Sequence, residues 1–563
     1  MKGVRILSVK KGFFRNTAIM LAAMFIVKAL GAVLKIPLGN ILGGEGMGYF
    51  STAFSIFSPV LAFTCSGIPA IVTQVTARKL SAGEWDDIVH IRRSALILGT
   101  VSGIIGTAII YIAAVPFTCY IANSPESLMS VMVIAPSVFF CSLTAVYRGY
   151  YEGLSDMLPT AVSQVAEAVV KAAVGVGLSY YVYAVCVHKF GSEEQALPYA
   201  AAAAVFGVTM SELFGLVSIL LQSRKADRKN KIPKSRRSYE AVWETAKEIF
   251  TESLPVAVGA VISNLISFTD LLTISNCINI SFSRFPAQLA GGAVPVGELT
   301  GIEDIGNFLY GSYSGMVVSV YLLTATLPMM VARCSLPRIT CTIELNKHSD
   351  NAPVKRDISF MLKGTMLISA PISLFMAALS EPVLGILYPV RELEAAVSII
   401  PLQILSIGGI FAAVEGALLS VFQAYGDFRT PVRATLFGGF FKFLLNVVLL
   451  LIPGVNICGA AAATTVSNAL AMVYVMHRLK KKYGLSLPYG GICFPYLISA
   501  SVSSIAGFFA YKAFSAEFHP LVAVIFTCLA GGILYLLVLF IADSGDLVSV
   551  IKNIRNKKYA EVL

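Results

Sequence analysis

Four lysines interrupt long apolar stretches of this sequence: Lys28, Lys35, Lys171 and Lys442. On insertion scales a charged side chain at the centre of a bilayer costs about 2.5–3.5 kcal/mol, so four facing lipid would cost on the order of 10 kcal/mol. Such groups are expected to face a bundle interior or a wet cavity, or to snorkel to the interface. Lys28 and Lys35 are seven residues apart, which stacks them two turns apart on one helix face. Two stacked ammonium groups, each a point charge with three donors, would attract a diphosphate. For Lys35, near the end of its run, snorkelling to the outer surface is the bland alternative. Glu167 and Lys171 stand four apart and can pair along a helix, so a self-neutralised pair and a part in transport both stay open. Lys442 is less easily paired along its own helix and reads as a substrate contact. Among the acids, Asp270, Glu415 and Glu167 are the candidates for coupling to an ion. A carboxylate in a low-dielectric cavity takes up a proton more readily, or binds sodium with neighbouring oxygens such as those of Asn264 or Thr269. Glu212 is a further acid within an apolar run and adds less.

These residues need elements to hold them. The chain has 563 residues, 56% hydrophobic and 13% charged, against about 25% charged in a soluble domain. Crossing the hydrocarbon core takes about 20 mostly apolar residues. Fourteen runs qualify: 17–39, 49–77, 94–116, 127–149, 159–187, 197–221, 253–279, 311–332, 361–380, 395–424, 431–452, 457–477, 491–513 and 520–542. With the N-terminus placed in the cytoplasm, 35 of the 43 Lys and Arg fall on inside segments and the span ends adjoining them. The outside segments hold only Lys189, Arg284, Arg391 and Lys512. That asymmetry is the positive-inside pattern, and it predicts both termini in the cytoplasm. It also accounts for the net charge of +11 without nucleic acid. The basic N-terminus followed by an apolar run is read as a retained first helix, because the run contains two lysines and lacks a clear cleavage site.

Enzyme signatures are missing. There is no nucleotide-binding G-x-x-x-x-G-K-[ST] and no G-x-S-x-G. The five histidines lie near span ends or in loops, and the ten cysteines contain no C-x-x-C pair, so the cysteines read as small packing residues. The expectation is a transporter without catalytic residues, cofactor or metal. Tyr151–Val174 and Gln423–Asn446 form a weak internal repeat: each turns through Gly, Asp and Pro at the cytoplasmic end of a fourth span and enters a helix with one buried lysine. Repeated helical bundles around a central site are a common transporter plan. The predicted organisation is an N-terminal lobe over 1–222, a basic cytoplasmic linker over 223–248, a second lobe over 249–478, and two further spans with a basic tail over 479–563. The linker's charge also suits an anionic lipid surface.

Five stretches carry a family resemblance: VKALGAVLKIPLGNILGGEGMGYF (27–50), SGIPAIVTQVTARKLSAG (66–83), YRGYYEGLSDMLPTAVSQVAEAVVK (147–171), FQAYGDFRTPVRATLFGGFFKFLLN (422–446) and GAAAATTVSNAL (459–470). In order and spacing these resemble the polysaccharide transporter branch of the multidrug/oligosaccharidyl-lipid/polysaccharide flippases, particularly its sporulation and Gram-positive lipid II flippase members. The resemblance implies an all-α membrane protein of about fourteen helices, in two lobes around a central cationic cavity that receives an undecaprenyl-linked diphosphate. Lys28 and Lys35 match the family's cavity-lining basic positions in K-x-L-G-x-x-x-K-x-P. Lysine at the second keeps the charge of the arginine often found there but loses its fork. Asp270 in SNLISFTDLL also fits. The stretch 281–307 and CSLPRI after the eighth span depart from the pattern.

The reading is a monomeric flippase of the bacterial plasma membrane. It would carry an undecaprenyl-diphosphate-linked saccharide, lipid II or a related wall or spore-cortex precursor, by alternating access. Lys28, Lys35, Lys171 and Lys442 would hold the diphosphate, membrane lipids would surround it, and a proton or sodium would couple. Two rivals are a cation-coupled multidrug exporter of the related branch and a non-transporting scaffold for wall or spore assembly.

Overall fold

A computed structural model of the chain describes residues 2–82, 84–229, 239–284, 302, 304–346, 351–427 and 429–542. The centre of the expected basic linker, most of the expected external stretch 281–307 and the expected C-terminal tail lie outside the described residues. What is described is helical, with no strand among the described residues.

The helices are α1 (Lys2–Cys65), α2 (Gly67–Ala82), α3 (Trp85–Pro116), α4 (Leu128–Gly153), α5 (Leu158–Phe190), α6 (Glu193–Lys229), α7 (Tyr239–Arg284), α8 (Ile305–Gly311), α9 (Val318–Leu345), α10 (Ala352–Ala378), α11 (Ser380–Leu387), α12 (Glu392–Ala424), α13 (Arg429–Leu450), α14 (Ile457–Tyr483), α15 (Tyr489–Phe514) and α16 (Pro520–Ala542). Twelve helical stretches among the described residues are long and apolar enough to cross a membrane, which makes this a multi-pass membrane protein. One of them, Ala22–Leu80, is not a single rod. At Gly43 the backbone takes φ 61 and ψ −164, a conformation open to glycine and costly for other residues, and this separates the expected spans 17–39 and 49–77. The expected span 253–279 lies within α7, outside the twelve. Wide five-residue turns of π type at Phe117–Ile121 and Ser312–Val317 extend α3 and join α8 to α9.

The chain divides into two compact units, Met1–Ile280 with Gly301–Met316, and Ser281–Thr300 with Val317–Leu563. In the first, α1 packs on α4, α5, α6 and α8. Its second half meets α8 so closely that a Cβ on Gly311 would strike the carbonyl of Gly44. The Asn307 side chain donates to the Glu45 carbonyl at 3.0 Å and fixes that contact. At another corner, Tyr151 donates to Asp227 (2.7 Å), Arg92 pairs with the same carboxylate (2.6 Å), and the Arg92 guanidinium lies 5.1 Å from the Tyr150 ring centre. Small residues let these helices approach where apolar burial gives little drive against lipid.

In the second unit α12 packs on α9, α10 and α14, and α10 on α15. The ring of Phe375 on α10 fills the space left by Gly507 on α15 and Gly531 on α16. The α12–α14 and α13–α14 seams are pinned by hydroxyls: Thr465 donates to the Ile404 carbonyl (3.0 Å) and Ser467 to the Gly438 carbonyl (2.7 Å).

Candidate functional site

Lys28 and Lys35 stand on the first half of α1. Lys28 is exposed and Lys35 half-buried, and the two charges are close enough to interact. The neighbouring Leu34 is buried and reaches toward Gly175 of α5, so packing fixes the rotation of this half of α1. Among the described residues neither ammonium group has an ion-pair partner. Their two positive charges are therefore not cancelled within the unit.

Lys171 stands differently. It lies on α5, 3.7 Å from Glu167 and 3.9 Å from Glu212 of α6. Glu167 also takes a 2.8 Å ion pair from Arg148 at the end of α4, and the Arg148 Nε donates to the Ser163 hydroxyl at 3.0 Å. Two cations and two acids thus form one network across α4, α5 and α6, with Glu212 buried and the other three half-buried. Glu167 and Glu212 face the same Lys171 ammonium from two helices. The network lies over Gly215 of α6, where a Cβ would come within 3.5 Å of Glu167 and 3.8 Å of Arg148.

Sequence reasoning paired Glu167 with Lys171 but missed Arg148, which sits one turn inside a helix end and counted there as a loop cation. It also gave Glu212 little weight. The available signal was an arginine within the apolar end of a span, a position that carries its own insertion cost.

Asp270 is half-buried on α7, within electrostatic reach of Tyr310, whose hydroxyl is 3.0 Å from that of Ser55. These three residues belong to the first unit. In the second unit, Glu415 on α12 is half-buried within electrostatic reach of Tyr321 on α9. Lys442 is buried on α13, at 8% exposure. The structure thus joins Lys171 to Glu167, keeps Lys28 and Lys35 as a pair, and sets Asp270 and Glu415 in different units.

The model of the family described as polysaccharide biosynthesis protein matches residues 13–332. The uncharacterized membrane protein YabM of Bacillus subtilis (strain 168) is 26% identical over 493 residues, 87% of this chain and 84% of that protein. Stage V sporulation protein B of the same organism is 24% identical over 507 residues, 89% of each chain. Among solved structures, the lipid II flippase MurJ in an inward closed conformation superposes with a TM-score of 0.67 at 15% identity, covering 94% of this chain and 99% of that one. That likeness is one of fold.

Proposed function

This chain belongs to the polysaccharide biosynthesis protein family, and we propose that it is a flippase moving an undecaprenyl-diphosphate-linked saccharide across the plasma membrane. The observation that carries the reading is the pair Lys28 and Lys35: two ammonium groups on one face of a membrane-spanning helix, without an ion-pair partner among the described residues. Uncancelled cations in an apolar span are costly unless a wet site or an anionic cargo offsets them. A diphosphate supplies that anion. Lys171 of the same unit adds a third positive charge when its acids release it. Likeness to stage V sporulation protein B and to the fold of a lipid II flippase supports a cell-wall or spore-cortex precursor as cargo.

The work of transport is done by binding and reorientation, with no covalent step. A gradient supplies the energy through a carboxyl group that is charged on one side and neutral on the other. Asp270, Glu415 and Glu167 are the candidates for taking that proton or sodium. The basic loops face the cytoplasm, with both termini on that side, and the carrier works as a monomer.

The test is K28Q/K35Q. The double variant should reach the membrane at wild-type abundance and fail to support growth of a strain depleted of its flippase. Complementation by the neutral variant would overturn the anion-cradle reading. Co-purification of a drug-like cation in place of a lipid-linked sugar would favour the multidrug rival. Flipping that persists at full rate after deletion of the basic loop 223–247, with partner recruitment lost, would give that loop a separate docking role.

A further inference from the structure

A second basic site lies in the second unit, apart from the lysines proposed to hold cargo. Asp427 sits just before α13. Its carboxylate accepts from the backbone N–H groups of Arg429 (3.2 Å) and Thr430 (3.1 Å), from the Thr430 hydroxyl (2.6 Å), and from the Lys482 ammonium (2.6 Å). These bonds tie the first turn of α13 to the last turn of α14. Beside them opens a cavity of about 380 Å³ whose lining includes Arg429 and Arg433 of α13 and Arg478, Lys481 and Lys482 of α14. Asp427 is the one acid in that lining among the described residues, and it is already engaged by Lys482. Five cations against one carboxylate leave the cavity strongly positive.

Two further observations give the ligand its chemistry. The Nε of Arg478 is buried with no hydrogen-bond partner among the described residues, while its guanidinium lies 5.7 Å from the Tyr474 ring centre. A guanidinium held on a ring with an unused donor is set for a planar or tetrahedral oxyanion, which it can grip through two donors at once. Beyond the cavity the surface turns apolar. Leu436 and Phe440 lie three and seven residues after Arg433, on the same face of α13, and are 48% and 64% exposed. A basic pocket that leads along one helix into an exposed apolar strip matches an amphiphile with a phosphate head and acyl tails. Basic pockets between membrane helices are known hosts for anionic lipid heads.

We propose that this cavity binds the phosphate head of an anionic phospholipid, with the acyl chains lying along Leu436 and Phe440. The occupant bridges α13 and α14 through their arginines, beside the Asp427–Lys482 pair. The internal repeat carries no equivalent: after Asp156, the matching segment MLPTAV has no arginine where α13 has Arg429 and Arg433. The site is therefore a property of the second unit alone. It rests on the membrane-spanning reading and not on the identity of the cargo.

The test uses the full-length protein in detergent, titrated with phosphatidylglycerol, cardiolipin or phosphatidylcholine and followed by native mass spectrometry and melting temperature. The two anionic lipids should bind and raise the melting temperature, and phosphatidylcholine should do neither. R433Q, at an exposed position that leaves the fold intact, should weaken that binding several-fold, and R429Q/R433Q/R478Q at least tenfold. R433K, which keeps the charge and loses the fork, should fall between wild type and R433Q. K28Q/K35Q should bind phospholipid as wild type does, so loss of transport and loss of this site read out separately. Equal binding by wild type and the triple variant would overturn the proposal. So would displacement of the bound lipid by stoichiometric undecaprenyl diphosphate, which would assign the cavity to cargo. Saturation by millimolar inorganic phosphate with no gain from acyl chains would likewise overturn it.

Discussion

At the scale of single residues, the contrast between Lys28 and Lys171 matters most. Both lie in apolar spans, yet one is exposed without an ion pair among the described residues and the other meets two acids within 4 Å. Removing each should therefore do different things. K28Q should lose transport and keep stability, as read by a flipping assay beside a melting curve. R148A should lose stability first, because it strips Glu167 of its closest cation in a half-buried site. Breaking a fully buried pair costs about 3–5 kcal/mol; this half-buried one should cost less, which a fall in melting temperature would report, and an unchanged melting temperature would mean that Lys171 alone suffices for Glu167. Asp427 offers a pH test outside the membrane. Burial raises its pKa, but hydrogen bonds from Lys482 and Thr430 outweigh this and hold it down at about 2. A carboxyl whose folded pKa lies below its unfolded value of about 3.9 contributes stability above that value. The contribution fades as pH falls from about 4 toward 2. D427N should accordingly flatten the loss of stability in that window relative to wild type, while lowering stability near neutrality through the lost ion pair with Lys482.

At the scale of elements, the first membrane hairpin depends on a single backbone conformation. Gly43 at φ 61 ends the first segment of α1, and the next residue meets α8 with no room for a side chain on Gly311. G43V should cost about 1–3 kcal/mol for this positive-φ, extended-ψ conformation alone. G311A should be worse, since its methyl group would collide with the backbone of Gly44, and no rotamer relieves a Cβ contact. Thermal unfolding of the two variants should rank them in that order; equal and mild effects would mean that α8 can slide away from α1. The GGEGMG run at 43–48 advertised a turn in the sequence, but its partner, residues 305–311, lies more than 250 residues later.

At the scale of the whole molecule, the prediction concerns orientation. Single cysteines introduced at 225 and 480 in a cysteine-free background should be labelled by an impermeant thiol reagent only in inverted vesicles, and one at 391 only in intact cells. Labelling of all three from one side would reverse or break the proposed topology. The fold itself is shared with a lipid II flippase at 15% identity, so the architecture tolerates nearly complete replacement of side chains. Chemistry is then set by a few charged positions within a common frame.

The sequence by itself determined that this is a bundle of membrane helices. Length and apolarity of each run are local properties, and the bilayer imposes the same thickness on all of them. The division at Gly43 and the Glu167–Lys171 contact were legible for the same reason, since both depend on residues within one or two turns. Tertiary structure alone decided which charges meet. Arg148 reaches Glu167 across nineteen residues and a reversal of chain direction, and Glu212 arrives from a third helix. Asp427 and Lys482 are 55 residues apart in sequence and 2.6 Å apart in space. A helix fixes which of its own residues share a face, but the rotation and depth at which it packs against another helix follow from small-residue contacts spread over both. No single stretch of sequence contains that information.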